Sequence, residues 1–274
     1  MEKAVINGIT LEYEVSGAGE PVLFIHGAFI ADAFAPLLIE PSLSGLCRFI
    51  TYNRRGYMGS SYTPGPITLE QQAMDCRELL RYLGENHVHV VGESAGARVA
   101  LKLALDFPEV VHSLTLMEPA LMIGESAQAY RESLAQGVQR YHEVGAEIVA
   151  HEFIGARWPE YASKLDAALP GGFAQAVRNA RATFELDIGM LDWDFGITEA
   201  QGIPQPTLVV VGGGSVALSP RFEEVHQFLL DHIPDAEGFI LPDATHFLHL
   251  ESATAARQMA EGLADFYVRH PKIG

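Results

Sequence analysis

A chain of 274 residues, 48% apolar and 19% charged, is long enough for one large α/β domain and too apolar for a disordered segment. Lys and Arg number 18 against 35 Asp and Glu, a formal net charge of −17, and a surface of that sign repels nucleic-acid phosphates and anionic membranes. Two cysteines, Cys47 and Cys76, are too few for a disulfide framework, no apolar run reaches the roughly 20 residues of a membrane span, and Met1 to Gly17 lacks the basic and apolar regions of a signal peptide, so a soluble cytoplasmic protein is expected.

The N-terminus, Met1 to Gly17, reads as an alternating strand, clearest over Ile9 to Val15. Pro21 to Ile25 and Phe49 to Tyr52 are short apolar runs of the kind that form buried strands. Thr68 with Gln71 resembles a capping box and opens a helix whose stripe is Leu69, Ala73, Cys76, Leu80 and Leu83. Val88 to Val91 is the next strand, and Ala95 to Leu105 a buried helix. Strands follow at Ser113 to Met117, Thr207 to Val211 and Phe239 to Leu241, with helices marked by Phe222, Val225, Phe228 and Leu229 and by Met259, Leu263, Phe266 and Tyr267. Continuous apolar strands separated by helices indicate a parallel sheet covered on both faces. From about Gly124 to Gly202 no strand is predicted. Helical patches at 130–141, 148–154 and 173–186 read there as an insertion whose aromatics, among them Trp158, Trp193, Phe173, Phe184 and Phe195, form its own core and line part of an apolar pocket.

The chemistry concentrates at Gly92-Glu93-Ser94-Ala95-Gly96, a G-x-S-x-G sequence placed between a strand and a helix. A sharp strand-to-helix turn exposes the serine hydroxyl, small neighbours permit the tight backbone, and the helix N-terminus supplies N–H groups and a positive dipole beside developing charge. With His26-Gly27-Ala28 after an earlier strand and His246 in the loop after the last one, the chain resembles the α/β-hydrolase family over nearly its whole length. Asn53-Arg54-Arg55-Gly56-Tyr57-Met58-Gly59-Ser60 is similar to the family's Asp-x-Arg-Gly-x-Gly-x-Ser loop, with Asn53 in place of Asp and the second glycine displaced by one. That loop is expected to be structural.

The resemblance implies Ser94 as nucleophile, His246 as general base and the N–H groups of Ala28 and Ala95 as an oxyanion hole. His249, the nearby alternative, is expected to pack or cap. The family's usual acid follows the strand at Thr207 to Val211, but the residues there are Gly212-Gly213-Gly214-Ser215-Val216, and the Ser215 hydroxyl cannot balance an imidazolium. Glu118, directly after the preceding strand, is the expected replacement. Certain haloalkane dehalogenases and the zearalenone lactonase type are similar in placing their acid there. Asp243 is the weaker candidate.

The expected fold is therefore an α/β-hydrolase fold, a mostly parallel sheet flanked by helices. A core of 1–122 and 203–274 carries a helical cap of 123–202. The expected reaction is hydrolysis of a carboxylic ester or lactone through an acyl-enzyme, with no cofactor and no metal. Gly212 to Gly214 lack the Gly-Lys-Ser/Thr of a phosphate loop, and His87 and His89 lack a third ligand nearby. Haloalkane dehalogenase and epoxide hydrolase chemistry is excluded because those enzymes carry Asp at the elbow. Amidase, C–C hydrolase, thioesterase and hydroxynitrile lyase-like reactions remain open, as does a non-catalytic scaffold for a small ligand. The expected partner is a partly apolar small molecule, with no nucleic acid and no membrane, on a monomer or homodimer.

Overall fold

The alternating N-terminus is two strands rather than one. β1 (Glu2–Ile6) and β2 (Ile9–Gly17) pair antiparallel across Asn7-Gly8, whose φ angles of 49° and 77° are those of the two-residue hairpin turn that Asn-Gly favours. The computed structural model describes residues 1–155, 160–191 and 193–272, so Trp158 lies outside the described residues. The remaining strands are β3 (Glu20–Ile25), β4 (Cys47–Tyr52), β5 (Val88–Glu93), β6 (Val111–Met117), β7 (Thr207–Gly212) and β8 (Ala236–Leu241). They form one eight-stranded sheet in the order β1-β2-β4-β3-β5-β6-β7-β8, parallel from β4 onward. This is the α/β-hydrolase fold.

Helices cover both faces because the central strands are apolar on both. The short α1 (Ala35–Leu38) precedes α2 (Leu69–Leu83), which opens on the Thr68–Gln71 capping box and stops at Gly84, where φ is 75°. α3 (Ala95–Asp106) follows β5 without a linker beyond Ser94. After β7 come α8 (Ser215–Leu218), α9 (Arg221–His232) and α10 (Ala253–Arg269). On one face Leu79 of α2, Leu101 of α3 and Val225 of α9 pack with Leu23, Val90 and Leu114. On the other, Leu37 of α1 and Met259 and Phe266 of α10 pack with Phe24, Val91 and Met117.

Between β6 and β7 the described residues contain no strand. α4 (Ala127–Gly155) breaks at Gly145, where φ is 82° and ψ 177°, followed by α5 (Tyr161–Ala168), α6 (Gly172–Arg181) with a π-helical turn over Ala182–Leu186, and α7 (Ile197–Gln201). A third apolar cluster joins Val149, Ile154, Leu165, Ala180 and Phe184 of this segment to Phe29, Ile30, Phe247 and Leu250 of the loops beyond the sheet's carboxyl edge. Among the described residues no helix is long and apolar enough to cross a membrane.

Candidate active site

The turn from β5 into α3 is tight enough to force its own sequence. A Cβ at Gly92 would lie 2.6 Å from the Ala97 Cα, and one at Gly96 2.1 Å from the Ile25 carbonyl oxygen, so both positions require glycine. Ser94 between them sits at φ 51° and ψ −114°. A non-glycine residue there is strained, and such strain persists only where the surroundings over-determine it. The same signature recurs beside it, with φ of 43° at Glu118 and 65° at Phe29. Three segments that follow β3, β5 and β6 thus carry side chains turned by unusual backbone.

A chain of hydrogen bonds joins three of the residues singled out from the sequence. Ser94 Oγ lies 3.2 Å from His246 Nε2, and His246 Nδ1 donates to Glu118 Oε2 at 2.6 Å. The Gly212 N–H donates to the other carboxylate oxygen, Glu118 Oε1, at 2.8 Å. The Glu118 side chain is 1% exposed and that of His246 14%. The backbone is tied just as closely. Ser94 N–H donates to Met117 O, Ala120 N–H to Ser94 O, and Glu118 N–H to Val210 O, so β5, β6 and β7 fix the acid and the serine against each other.

Asp243 is exposed and lies outside this chain of bonds. Ser215 is fully buried, and its Oγ has no hydrogen-bond partner. His249 is buried too, donating from Nε2 to the Ala33 carbonyl at 2.8 Å and stacked on Phe34, and burial pushes its pKa down to about 4.

Ala28 follows β3 and Ala95 opens α3; both are half-buried and line the same cavity as Ser94 and His246. Gly27 lets the two loops meet, since a Cβ there would come within 3.3 Å of the Ser94 Cβ. The cavity measures about 120 Å³ and is walled largely by apolar groups, among them Phe29, Leu134, Val138, Phe184 and Phe247, with Glu93, Arg98, Asp187 and Arg221 as its charged members.

Sequence reasoning missed two parts of this wall. Asp187 holds Arg54 in a bidentate ion pair at 2.9 Å and accepts from Tyr57 Oη at 2.6 Å. Arg54, fully buried, also donates to the carbonyls of His26 and Gly27, and its N–H donates to His26 Nε2. The Asn53–Ser60 loop is thereby bonded both to the β3 loop and to the helical segment. The second is Glu93, 6% exposed, with its Oε2 unpartnered; burial, with the Glu118 charge, pushes its carboxyl up to about 8. The residue in the variable place of G-x-S-x-G gave no signal of this. His89, by contrast, is absorbed locally, bonded to Ser113 Oγ and Glu20 at 2.7 Å each.

Comparison with known proteins agrees with the fold. Fluoroacetate dehalogenase of Burkholderia sp is 31% identical over 118 residues, 41% of this chain and 38% of that protein, so the match spans well under half of that relative's length. A thermophilic esterase from Thermogutta terrifontis superposes with a TM-score of 0.83 at 22% identity, over 99% of each chain. The enol-lactonase from Burkholderia xenovorans LB400 superposes with a TM-score of 0.78 at 22% identity, over 97% of this chain and 100% of that one. The model of the alpha/beta hydrolase family matches residues 22–259, and the chain belongs to that family.

Proposed function

We propose that the protein is a serine hydrolase that cleaves a carboxylic ester or lactone through an acyl-enzyme on Ser94. The observation that carries the reading is the continuous chain from Ser94 Oγ through His246 to the buried Glu118 carboxylate, opening on an apolar cavity. In the first step His246 Nε2 takes the hydroxyl proton as Ser94 attacks the carbonyl carbon. The imidazolium that forms is balanced by Glu118, which also fixes the ring's tautomer through Nδ1–H. The carbonyl oxygen becomes an oxyanion received by the N–H groups of Ala28 and Ala95, with the α3 N-terminus adding positive potential. His246 then protonates the leaving alkoxide. Water, deprotonated by His246, attacks the acyl-enzyme and the acid product departs.

Residues 123–202 act in this reading as a cap that sets substrate size and excludes water; the apolar cluster shared with Phe29, Ile30, Phe247 and Leu250 supports that role. The substrate is a partly apolar small molecule, in keeping with the walls of the cavity. The esterase and enol-lactonase among the structural neighbours are similar in fold and leave the bond class to experiment.

The test is a panel of aryl esters, lactones, thioesters and anilides, with labelling by a fluorophosphonate probe. Labelling is expected at Ser94 alone. Ser94→Ala is expected to abolish it and to lower kcat by about 10⁶-fold, because triad members act as a unit. Labelling at another residue, or turnover unchanged in Ser94→Ala, sinks the proposal. Activity confined to anilides or thioesters moves the substrate class but keeps the nucleophile.

A further inference from the structure

Arg221, the first residue of α9, lines the catalytic cavity while only 4% exposed. Its guanidinium is packed between the rings of Tyr130 from α4, at 4.1 Å, and Phe222, at 4.2 Å. The guanidinium's one protein hydrogen bond among the described residues is a long one, from Nη1 to the Pro119 carbonyl at 3.4 Å. No carboxylate among the described residues lies within ion-pairing distance of it. Glu224, one turn along α9, is occupied by the N–H and hydroxyl of Ser126, Asp187 by Arg54 and Tyr57, and Glu118 by His246 and Gly212. Among the described residues the other buried arginines are better satisfied: Arg54 and Arg55 hold ion pairs, and Arg98 donates to the carbonyls of Ala120 and Met190.

Burying a guanidinium without a counter-ion is costly, and placing it at a helix N-terminus adds dipole repulsion. Cation–π contacts offset part of that cost and hold the group flat, leaving its remaining N–H groups without protein acceptors. A guanidinium so held presents a fork matched to a carboxylate. Its position is close to the chemistry. The Phe222 ring lies 5.2 Å from the His246 ring, and Pro119 joins Glu118 to Ala120, whose N–H holds the Ser94 carbonyl.

We propose that Arg221 is an anion subsite of this pocket, so that the substrate is an ester or lactone that also carries a free carboxylate. This rests on the hydrolase reading above and narrows its substrate class. Glu93, which lines the same cavity, is compatible with it: its carboxyl, pushed up to about 8, is mostly neutral at pH 7 and brings little repelling charge. The apolar remainder of the wall accommodates the carbon skeleton between the two polar ends.

The experiment compares matched substrates at pH 7. Mono-4-nitrophenyl esters of C4–C6 dicarboxylic acids carry the charge on the acyl side, and acyl esters of hydroxy acids carry it on the alcohol side. Neutral esters of the same length are the reference, and glutarate is added as a competing anion. The wild type is expected to favour one charged series by about 10²-fold in kcat/KM and to be inhibited competitively by glutarate. Arg221→Gln is expected to collapse that ratio to near unity and abolish glutarate inhibition, mainly through KM, with Arg221→Lys intermediate. Fluorophosphonate labelling of Ser94 is measured in each variant, so a failed hydrolase reading (no labelling) is told apart from a failed subsite (labelling with no charge preference). Equal rates on charged and neutral esters in the wild type, or a preference that survives in Arg221→Gln, overturn the subsite. Should Arg221→Gln fail to fold, the wild-type ratio, glutarate inhibition and Arg221→Lys decide the matter alone.

Discussion

A carboxylate can reach His246 from either of two strand ends, because β6 and β7 are neighbours in the sheet and finish at the same edge. Here the β6 end supplies it. The carboxylate of Glu118 spans from His246 Nδ1 to the Gly212 N–H at the end of β7, so the acid occupies space that a side chain from the β7 loop would otherwise enter. Ser215 is left buried with an idle hydroxyl, and a Cβ at Gly212 would crowd it at 2.9 Å. Glu118→Gln keeps the shape but removes the charge that balances the imidazolium and permits the wrong tautomer. It is expected to lower kcat by about 10⁴-fold with an unchanged thermal midpoint. Ser215→Ala is expected to change kcat by less than about threefold, since no charge is lost. Steady-state kinetics on a good aryl ester decide it: near-normal rates in Glu118→Gln remove Glu118 from the mechanism, and a large loss in an Asp243→Asn control would transfer the role.

At the scale of elements, the joint between the Asn53–Ser60 loop and the helical segment rests on Arg54 and Asp187. Both are buried, and Arg54 has its guanidinium satisfied on every side by Asp187 and the carbonyls of His26 and Gly27. Asp187→Asn leaves that cation uncompensated, and breaking a buried pair costs about 3–5 kcal/mol. The expected result is a thermal midpoint lower by roughly 10 °C. Arg54→Met with Asp187→Leu, which removes both charges, is expected to recover most of the loss. A midpoint within about 1 °C of wild type for Asp187→Asn would mean that the pair holds nothing together. The elements themselves were legible because apolar runs, the Thr68 cap and the glycines of the elbow act over a few residues. The Asn7-Gly8 turn was equally local and marks the hairpin that a single alternating strand obscured. Glu118, one residue past a strand end, could be read because strand ends converge in this topology. Arg54 with Asp187, 133 residues apart, and Arg221 against Tyr130 could not, since no periodicity or spacing signals a contact made only by tertiary packing.

For the whole molecule, buried titratable groups shape stability against pH from both sides. His26, His89 and His249 are buried, and desolvation pulls their pKa values down, to about 4 for His89 and His249 and well below the usual value for His26. Below about 6.5 the unfolded chain takes up protons that these three refuse when folded, down to about 4 for His89 and His249, so stability falls as pH drops from 6.5. Glu93 acts in the opposite sense. Its folded carboxyl, pushed up to about 8 mainly by desolvation and further by the Glu118 charge, binds a proton that the unfolded chain has released above about 4.5. Its contribution is complete below 4.5 and is lost progressively as pH rises to 8. Three groups outweigh one below 6.5, and only Glu93 among these four changes between 6.5 and 8. The expected curve of thermal midpoint against pH therefore rises to a maximum near 6.5, declines to about 8 and then loses that slope. Glu93→Gln, which cannot ionise and keeps the shape, is expected to flatten the decline and to exceed the wild type at pH 8.5. The full shift is worth on the order of 5 kcal/mol. His249→Gln is the companion control, softening the acid limb and leaving the basic limb alone. Thermal unfolding in matched buffers from pH 4 to 9 reads all three proteins, and a decline above 6.5 that persists unaltered in Glu93→Gln would show that the buried carboxyl beside Ser94 is not what titrates.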